Sequence, residues 1–212
     1  MSIRELPTII HEKETMNKIL DSATKLFALK GFADVFMEDI ADDVGIKASS
    51  IYNHYKGKNA LLEDVFYRFE KGYRNYFDSL NDMNKNANTL DELMDNLFNS
   101  EFTEMLDPIG CFGMSVVIKE QHNNETARKL VFELFHKHSV ESMKASFDNL
   151  IQRGVIPPSD TRTIAMFFMH NVIIMNDARI HEYMGTPVPL DCMTACKDMK
   201  RFITVALKKG IK

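Results

Sequence analysis

Tryptophan is absent from these 212 residues, and cysteine, proline and glycine are scarce at three, six and nine. Three cysteines (Cys111, Cys192, Cys196) and no apolar leader in MSIRELPTIIHEKE argue against a disulfide-stapled secreted fold. A reducing, cytoplasmic setting is expected instead. Sustained period-two alternation is missing, so no sheet is expected, and few glycines and prolines suit long helices. The longest apolar run, Ile164 to Met175, is interrupted by His170 and Asn171 and is too short to span a bilayer. No membrane partner is therefore expected. A basic excess is lacking as well: the net charge is −4, which argues against strong non-specific affinity for nucleic acid. There is no metal-spaced cluster, no glycine-rich phosphate loop and no nucleophile with an evident base. Neither an enzyme nor a cofactor or metal site is expected.

What is present is a series of helical patterns separated by breakers. The first runs from about Thr15 to Lys30, with Ile19, Ala23, Leu26 and Phe27 as its apolar stripe. Gly31 and Phe32 then suit a left-handed cap. Shorter patterns follow at Met37 to Val44 and Ala48 to His54, and a long fourth helix opens at Lys56-Gly57-Lys58. Asn81 to Asn88 reads as a loop. Helical patterns resume at Leu90 to Met105, Phe112 to Gln121, Glu125 to Arg153, Asp160 to Tyr183 and Asp191 to Lys209. The class is all-α, with about nine helices.

Chemistry concentrates in MEDIADDVGIKASSIYNHYKGK, residues 37 to 58. Ala41, Gly45 and Ile51 stand at the spacing of a helix-turn-helix: a small residue where helices touch, a glycine at the turn, and a branched apolar lock. Such a unit lays its second helix in the major groove of DNA. Lys47, Lys56 and Lys58 form a local basic strip without an acid, while Glu38, Asp39, Asp42 and Asp43 make the preceding helix acidic. Ala48 suits a thymine methyl, Ser49 and Ser50 suit base edges, and Asn53, three residues after Ser50, suits adenine. Lys58 with free N–H groups at the start of the fourth helix suits a phosphate. Tyr52 also fits a core position, and His54 a buried, hydrogen-bonded one.

Ile19 to Leu62 resembles the N-terminal domain of the tetracycline-repressor (TetR) family. The residues that carry the likeness are Ile19-Leu20, Ala23, Leu26-Phe27, Lys30-Gly31-Phe32, Asp39-Ile40-Ala41, Gly45-Ile46, Ser50-Ile51-Tyr52, His54-Tyr55, Lys58 and Leu61-Leu62. The resemblance implies that Tyr52 and His54 contact phosphates and that two copies face successive major-groove turns. Two positions depart from the family's pattern. Val35-Phe36-Met37 stands where a Ser or Thr often caps the second helix, leaving Glu38 to act through the helix dipole and Phe36 to pack into the small domain. Lys47 stands where a serine often follows the turn.

Residues 1–57 are thus expected to form a three-helix DNA-binding domain. The long fourth helix joins it to a ligand-binding and dimerisation domain over residues 58–212. Fourteen methionines and fifteen phenylalanines suit an adaptable apolar pocket. Its expected wall includes Phe102, Met114, Phe132, Phe135, Met143, Met166 and His170. The segment IAMFFMHNVIIM is apolar almost all round, so it should be enclosed on several sides. With the last helix it would build a four-helix bundle across a two-fold axis, through Phe168, Met175, Met193, Phe202 and Ile203. Cys192 and Cys196 are read as small apolar residues rather than as a metal or redox pair. The function expected is a homodimeric regulator, a repressor, that binds a palindromic double-stranded operator and is released by a small, largely apolar effector. The competing readings are a helical carrier and a protein–protein adaptor, each with an idle helix-turn-helix.

Overall fold

The computed structural model describes residues 5–98, 108–188 and 191–210, and every described element is helical. In chain order these are α1 (Glu5–Lys30), α2 (Met37–Val44), α3 (Ala48–Tyr52), α4 (Lys58–Asn84), α5 (Leu90–Leu97) and α6 (Pro108–Glu120). There follow α7 (Glu125–Leu130), a π-helical stretch (Val131–His138) and α8 (Ser139–Gln152), continuous with one another, then α9 (Thr161–Tyr183) and α10 (Cys192–Lys209). Counting that continuous rod once gives nine helices among the described residues.

Local chemistry sets the boundaries. Asn124 and Asp160 accept hydrogen bonds from Ala127 N–H and Thr163 N–H, capping α7 and α9. Thr89 caps α5 in the same way through Glu92 N–H. Pro108 occupies the first position of α6, where its missing N–H costs nothing. α1 is longer than its apolar pattern suggests, starting at Glu5. α4 continues to Asn84, so the expected loop at Asn81 is helical for its first four residues. Those residues face a polar seam: Ser142 donates to Asn81, Asn84 donates to Ser146, and Asn96 donates to Asn84. A helix with partners for its amides has no reason to end early.

α4, at 27 residues, extends roughly 40 Å and serves both halves of the molecule. Its N-terminal Leu61, Leu62, Val65 and Phe66 close the core of α1–α3, and Tyr73, Phe77 and Leu80 enter the core beneath α5–α8. The two cores merge into one apolar cluster that runs from Ile19 to Leu207. α1 also packs along α6, where the Lys119 ammonium donates to the Ala28 carbonyl at 2.5 Å. No helix among the described residues is long and apolar enough to cross a membrane.

Candidate nucleic-acid interface and junction cavity

α2 and α3 meet at Gly45, whose φ of 76° lies in the left-handed region that glycine adopts without strain. Ile46 N–H bonds to the Ala41 carbonyl at 2.9 Å and Gly45 N–H to Asp42 at 3.2 Å, so a Schellman turn closes α2. Ile51 is fully buried beneath α3. The opposite side presents Ser49 and Tyr52 on the helix, with Asn53 and Lys56 in the turn that follows it, all exposed. Lys47 is exposed beside them, and Ala48, Ser50 and His54 are half-buried at the margins. Tyr52 is 53% exposed, so the core reading of that ring does not apply. Tyr55 holds the core place instead; burial first, then the nearby Asp64 carboxylate, push its phenol up to about 12.

The acids of α2 do not oppose this face. Asp43 pairs with Lys25 at 2.8 Å, and Asp39 lies 3.9 Å from Lys30, so α1 neutralises two of the four. The Lys25 hydrogen bond holds the Asp43 carboxyl below the usual carboxylate range. The start of α2 is capped after all. Asp39, three residues into the turn, accepts the Phe36 N–H at 2.7 Å, which is the acidic half of a capping box. Phe36 does not pack into the small domain; it is 65% exposed.

Lys58 is placed differently from its expected phosphate role. Its ammonium donates to the carbonyls of Phe32 (2.7 Å), Ala33 (3.2 Å) and Val35 (2.8 Å), and it lies 4.5 Å from the Phe32 ring centroid. Three donors meet three acceptors, so the side chain staples the α1–α2 turn to the start of α4. That staple fixes the angle at which α2, and hence α3, leaves the body of the protein.

Residues 19–65 match the family model described as bacterial regulatory proteins, tetR family. Over these residues the chain is similar to the TetR family of transcriptional regulators. It is 26% identical over 150 residues to the biofilm operon icaADBC HTH-type negative transcriptional regulator IcaR of Staphylococcus aureus, spanning 64% of this chain and 77% of IcaR. A Saccharomonospora viridis protein solved in complex with choline superposes with a TM-score of 0.67 at 18% identity, over 90% of this chain and 96% of that one. The TetR-family regulator PfmR of Thermus thermophilus gives 0.62 at 16% identity, over 92% and 95%. These two likenesses establish the fold. The match spans nearly the whole all-α TetR architecture, and the relatives are regulators of transcription rather than enzymes.

Within this TetR fold a cavity of about 480 Å³ lies between α1, α4 and α6. Thr24, Val65, Arg68, Phe69, Gly72, Tyr73, Asn75, Tyr76, Ser79, Ile109, Gly110 and Gly113 line it. Gly113 lets α6 approach α4, because a Cβ there would sit 3.0 Å from the Phe69 ring. A Cβ on Gly72 would meet nothing within 4 Å. Arg68 reaches from α4 to α1, donating to Asp21 Oδ1 at 2.5 Å, Thr24 Oγ1 at 2.7 Å and the Leu20 carbonyl at 3.3 Å.

None of the described residues among those expected to bind ligand lines this cavity. Phe132, Phe135, Met166 and His170 line a smaller one of about 260 Å³ between the π-helical stretch and α9. Met114 and Met143 are fully buried core and line neither cavity, and Phe102 lies outside the described residues. The sequence offered one overlooked signal, Gly72 inside a helical pattern, which usually has a packing or functional reason. Arg68 gave none, because its partners stand 44 to 48 residues away.

The expected dimer residues need correction by one position. Phe168, Met175 and Ile203 are 1%, 2% and 0% exposed, so they pack inside the protomer and cannot meet a partner. Their neighbours Phe167, Ile174 and Phe202 are exposed, with Val205 beside them, and the Phe167 and Phe202 rings meet at 4.9 Å. Each residue turns a helix by about 100°, so a shift of one exchanges inside for outside. Phe202 is exposed, and the Met193 side chain lies outside the described ones. Cys196 is half-buried with its sulfur 3.6 Å from Met175 Sδ, and nothing is described of the Cys192 side chain.

Proposed function

We propose that this TetR-family regulator is a repressor that binds a palindromic operator as a homodimer and lets go when a small molecule fills the cavity between α1, α4 and α6. The observation that carries the reading is the presentation of α3. A five-residue helix is anchored by one buried isoleucine, with Ser49 and Tyr52 outward on its free face and Asn53 and Lys56 exposed in the turn that follows. Asn53 and the serines have the donors and acceptors to read base edges. Lys47, Lys56, Tyr52 and His54 flank them with groups suited to phosphates.

The exposed apolar face of α9 and α10 supports the homodimer. Two copies of that helix pair would form a four-helix bundle about a two-fold axis, which is self-complementary by symmetry. The α3 helices would then address successive major-groove turns roughly 34–36 Å apart. IcaR is named a negative regulator, which favours repression over activation here. The choline complex of a protein of the same fold supports a small-molecule effector without indicating its chemistry. Release follows if the effector prefers a geometry of α1 and α4 that the operator does not, and operator DNA then weakens effector binding by the same factor.

Selection from a random duplex library, followed by gel shift at several salt concentrations, tests the core of the proposal. Enrichment of an inverted repeat is expected, and Asn53→Ala should relax preference at one position of each half-site. No enrichment at low salt would refute the regulator mechanism proposed for this chain. A site identical to the parent's in the variant would remove Asn53 from base reading.

A further inference from the structure

We infer that the effector of the junction cavity is an amphipathic organic anion whose carboxylate takes the Arg68 guanidinium away from α1; this rests on the reading of that cavity as the effector site. The walls divide by chemistry. Val65, Phe69 and Ile109 supply apolar surface, while Thr24, Asn75 and Ser79 are neutral and polar. Arg68 is the single formally charged side chain among the described lining residues, and no acid stands among them. A cavity with one cation at one end of an apolar, aromatic chamber selects a ligand with one negative end.

The guanidinium is not idle in this state. It holds Asp21, Thr24 and the Leu20 carbonyl, all on α1. The Asp21 side chain is half exposed, so solvent already weakens its claim on Arg68. A carboxylate arriving from within the cavity, beside Phe69, would offer the guanidinium two oxygens where Asp21 supplies one. Charge-assisted pairs gain strength as water is excluded. The anion and α1 therefore compete for one side chain, and effector binding removes a tie between the DNA-binding helices and α4.

The test is calorimetric titration of the full-length protein with hexanoate, octanoate and decanoate, each against the alcohol and the trimethylammonium of equal chain length. At least one carboxylate is expected to bind about tenfold tighter than its alcohol, with the cation weakest. Arg68→Met should abolish that preference and leave the alcohol unchanged within about twofold. Asp21→Asn frees the guanidinium and should tighten the carboxylate several-fold. It also keeps the inference falsifiable if Arg68→Met does not fold. No binding by any carboxylate, equal affinity for all three head groups, or a carboxylate affinity unmoved by Asp21→Asn would overturn the inference. Gly72→Leu separates the two levels. If it blocks every ligand while head groups are not distinguished, the cavity stands as the effector site and the anion does not. If it blocks none, the effector-site reading falls too.

Discussion

An ammonium has three protons, and Lys58 directs them at three carbonyls of one turn. Hydrogen bonds from a charged donor contribute about 1.5–3 kcal/mol each, and removing the donor leaves half-buried carbonyls without it. Lys58→Met should therefore lower unfolding stability by roughly 2–4 kcal/mol in urea titration, with most of the loss shared among bonds that are not independent. The variant that remains folded should keep the parent's salt dependence of DNA binding. A shallower slope would restore Lys58 to the phosphate contacts. Lys47 and Lys56 carry the opposite expectation: each alanine variant should reduce the slope of log affinity against log salt by about one, with little change in stability. Spacing alone identified the lysine at the head of α4 but not the direction of its side chain. The three carbonyls belong to residues 23 to 26 positions earlier, in an irregular turn that no periodicity describes. Tyr52 and Tyr55 show the same limit. Both sit three residues or fewer from Asn53, and only tertiary packing decides which ring is covered.

At the scale of elements, helix starts were the most legible feature, because caps and prolines are local chemistry. α2 begins and ends where the pattern predicts it. The rod from Glu125 to Gln152 was legible as one helix, yet its middle winds as a π-helix over Val131–His138. Widening the turn shifts the backbone bonds by one residue. Ser139 accommodates the shift: its hydroxyl, fully buried, donates toward the carbonyls of Leu134 (2.9 Å) and Phe135 (3.1 Å). The stretch aims Phe135 at Phe69 and Tyr73, with ring centroids 6.1 and 5.3 Å away, and so backs the wall of the junction cavity. His138 closes the same stretch, edge-on to Phe77. Its Nε2 has no hydrogen-bond partner among the described residues, and the Asp78 carboxylate at 3.9 Å is too distant and too exposed to hold a proton there. Burial first, then the Arg74 charge, push the imidazole below its ordinary value of 6.5. A depressed folded-state value means that the unfolded chain binds the proton more readily. The stabilisation is complete above the unfolded value and is lost as pH falls below it. As pH falls below the ordinary imidazole value of 6.5, urea unfolding should show a loss of stability that His138→Gln reduces. An identical loss in the variant would assign the pH dependence to other groups.

For the whole molecule, the dimer proposal turns on a distinction of one residue. On that proposal, the two apolar faces of α9 serve two contacts. Ile164, Phe168, Val172 and Met175 fill the protomer core, and Phe167 and Ile174 remain outside it. α10 divides similarly, with Ile203 and Leu207 inside and Phe202 and Val205 outside. Composition made the double apolarity of α9 visible, but the rotation of each helix about its axis depends on how it seats against α5, α6 and α8. Adjacent substitutions therefore separate protomer stability from assembly. Phe202→Asp places a charge on the exposed face beside Phe167 and should give a folded monomer by sedimentation, with helicity and thermal transition near the parent's at equal protomer concentration after allowing for lost association. Ile203→Asp buries an unpaired carboxylate in the core and should cost about 4 kcal/mol or more, seen as a lowered transition or no folded protein. The Phe202→Asp monomer should also lose most of its affinity for a two-half-site operator while keeping weak binding to one half-site, because each α3 then pays the association cost separately. A Phe202→Asp protein that still sediments as a dimer would move the interface away from α9 and α10, and full operator affinity in a proven monomer would separate DNA recognition from dimerisation altogether.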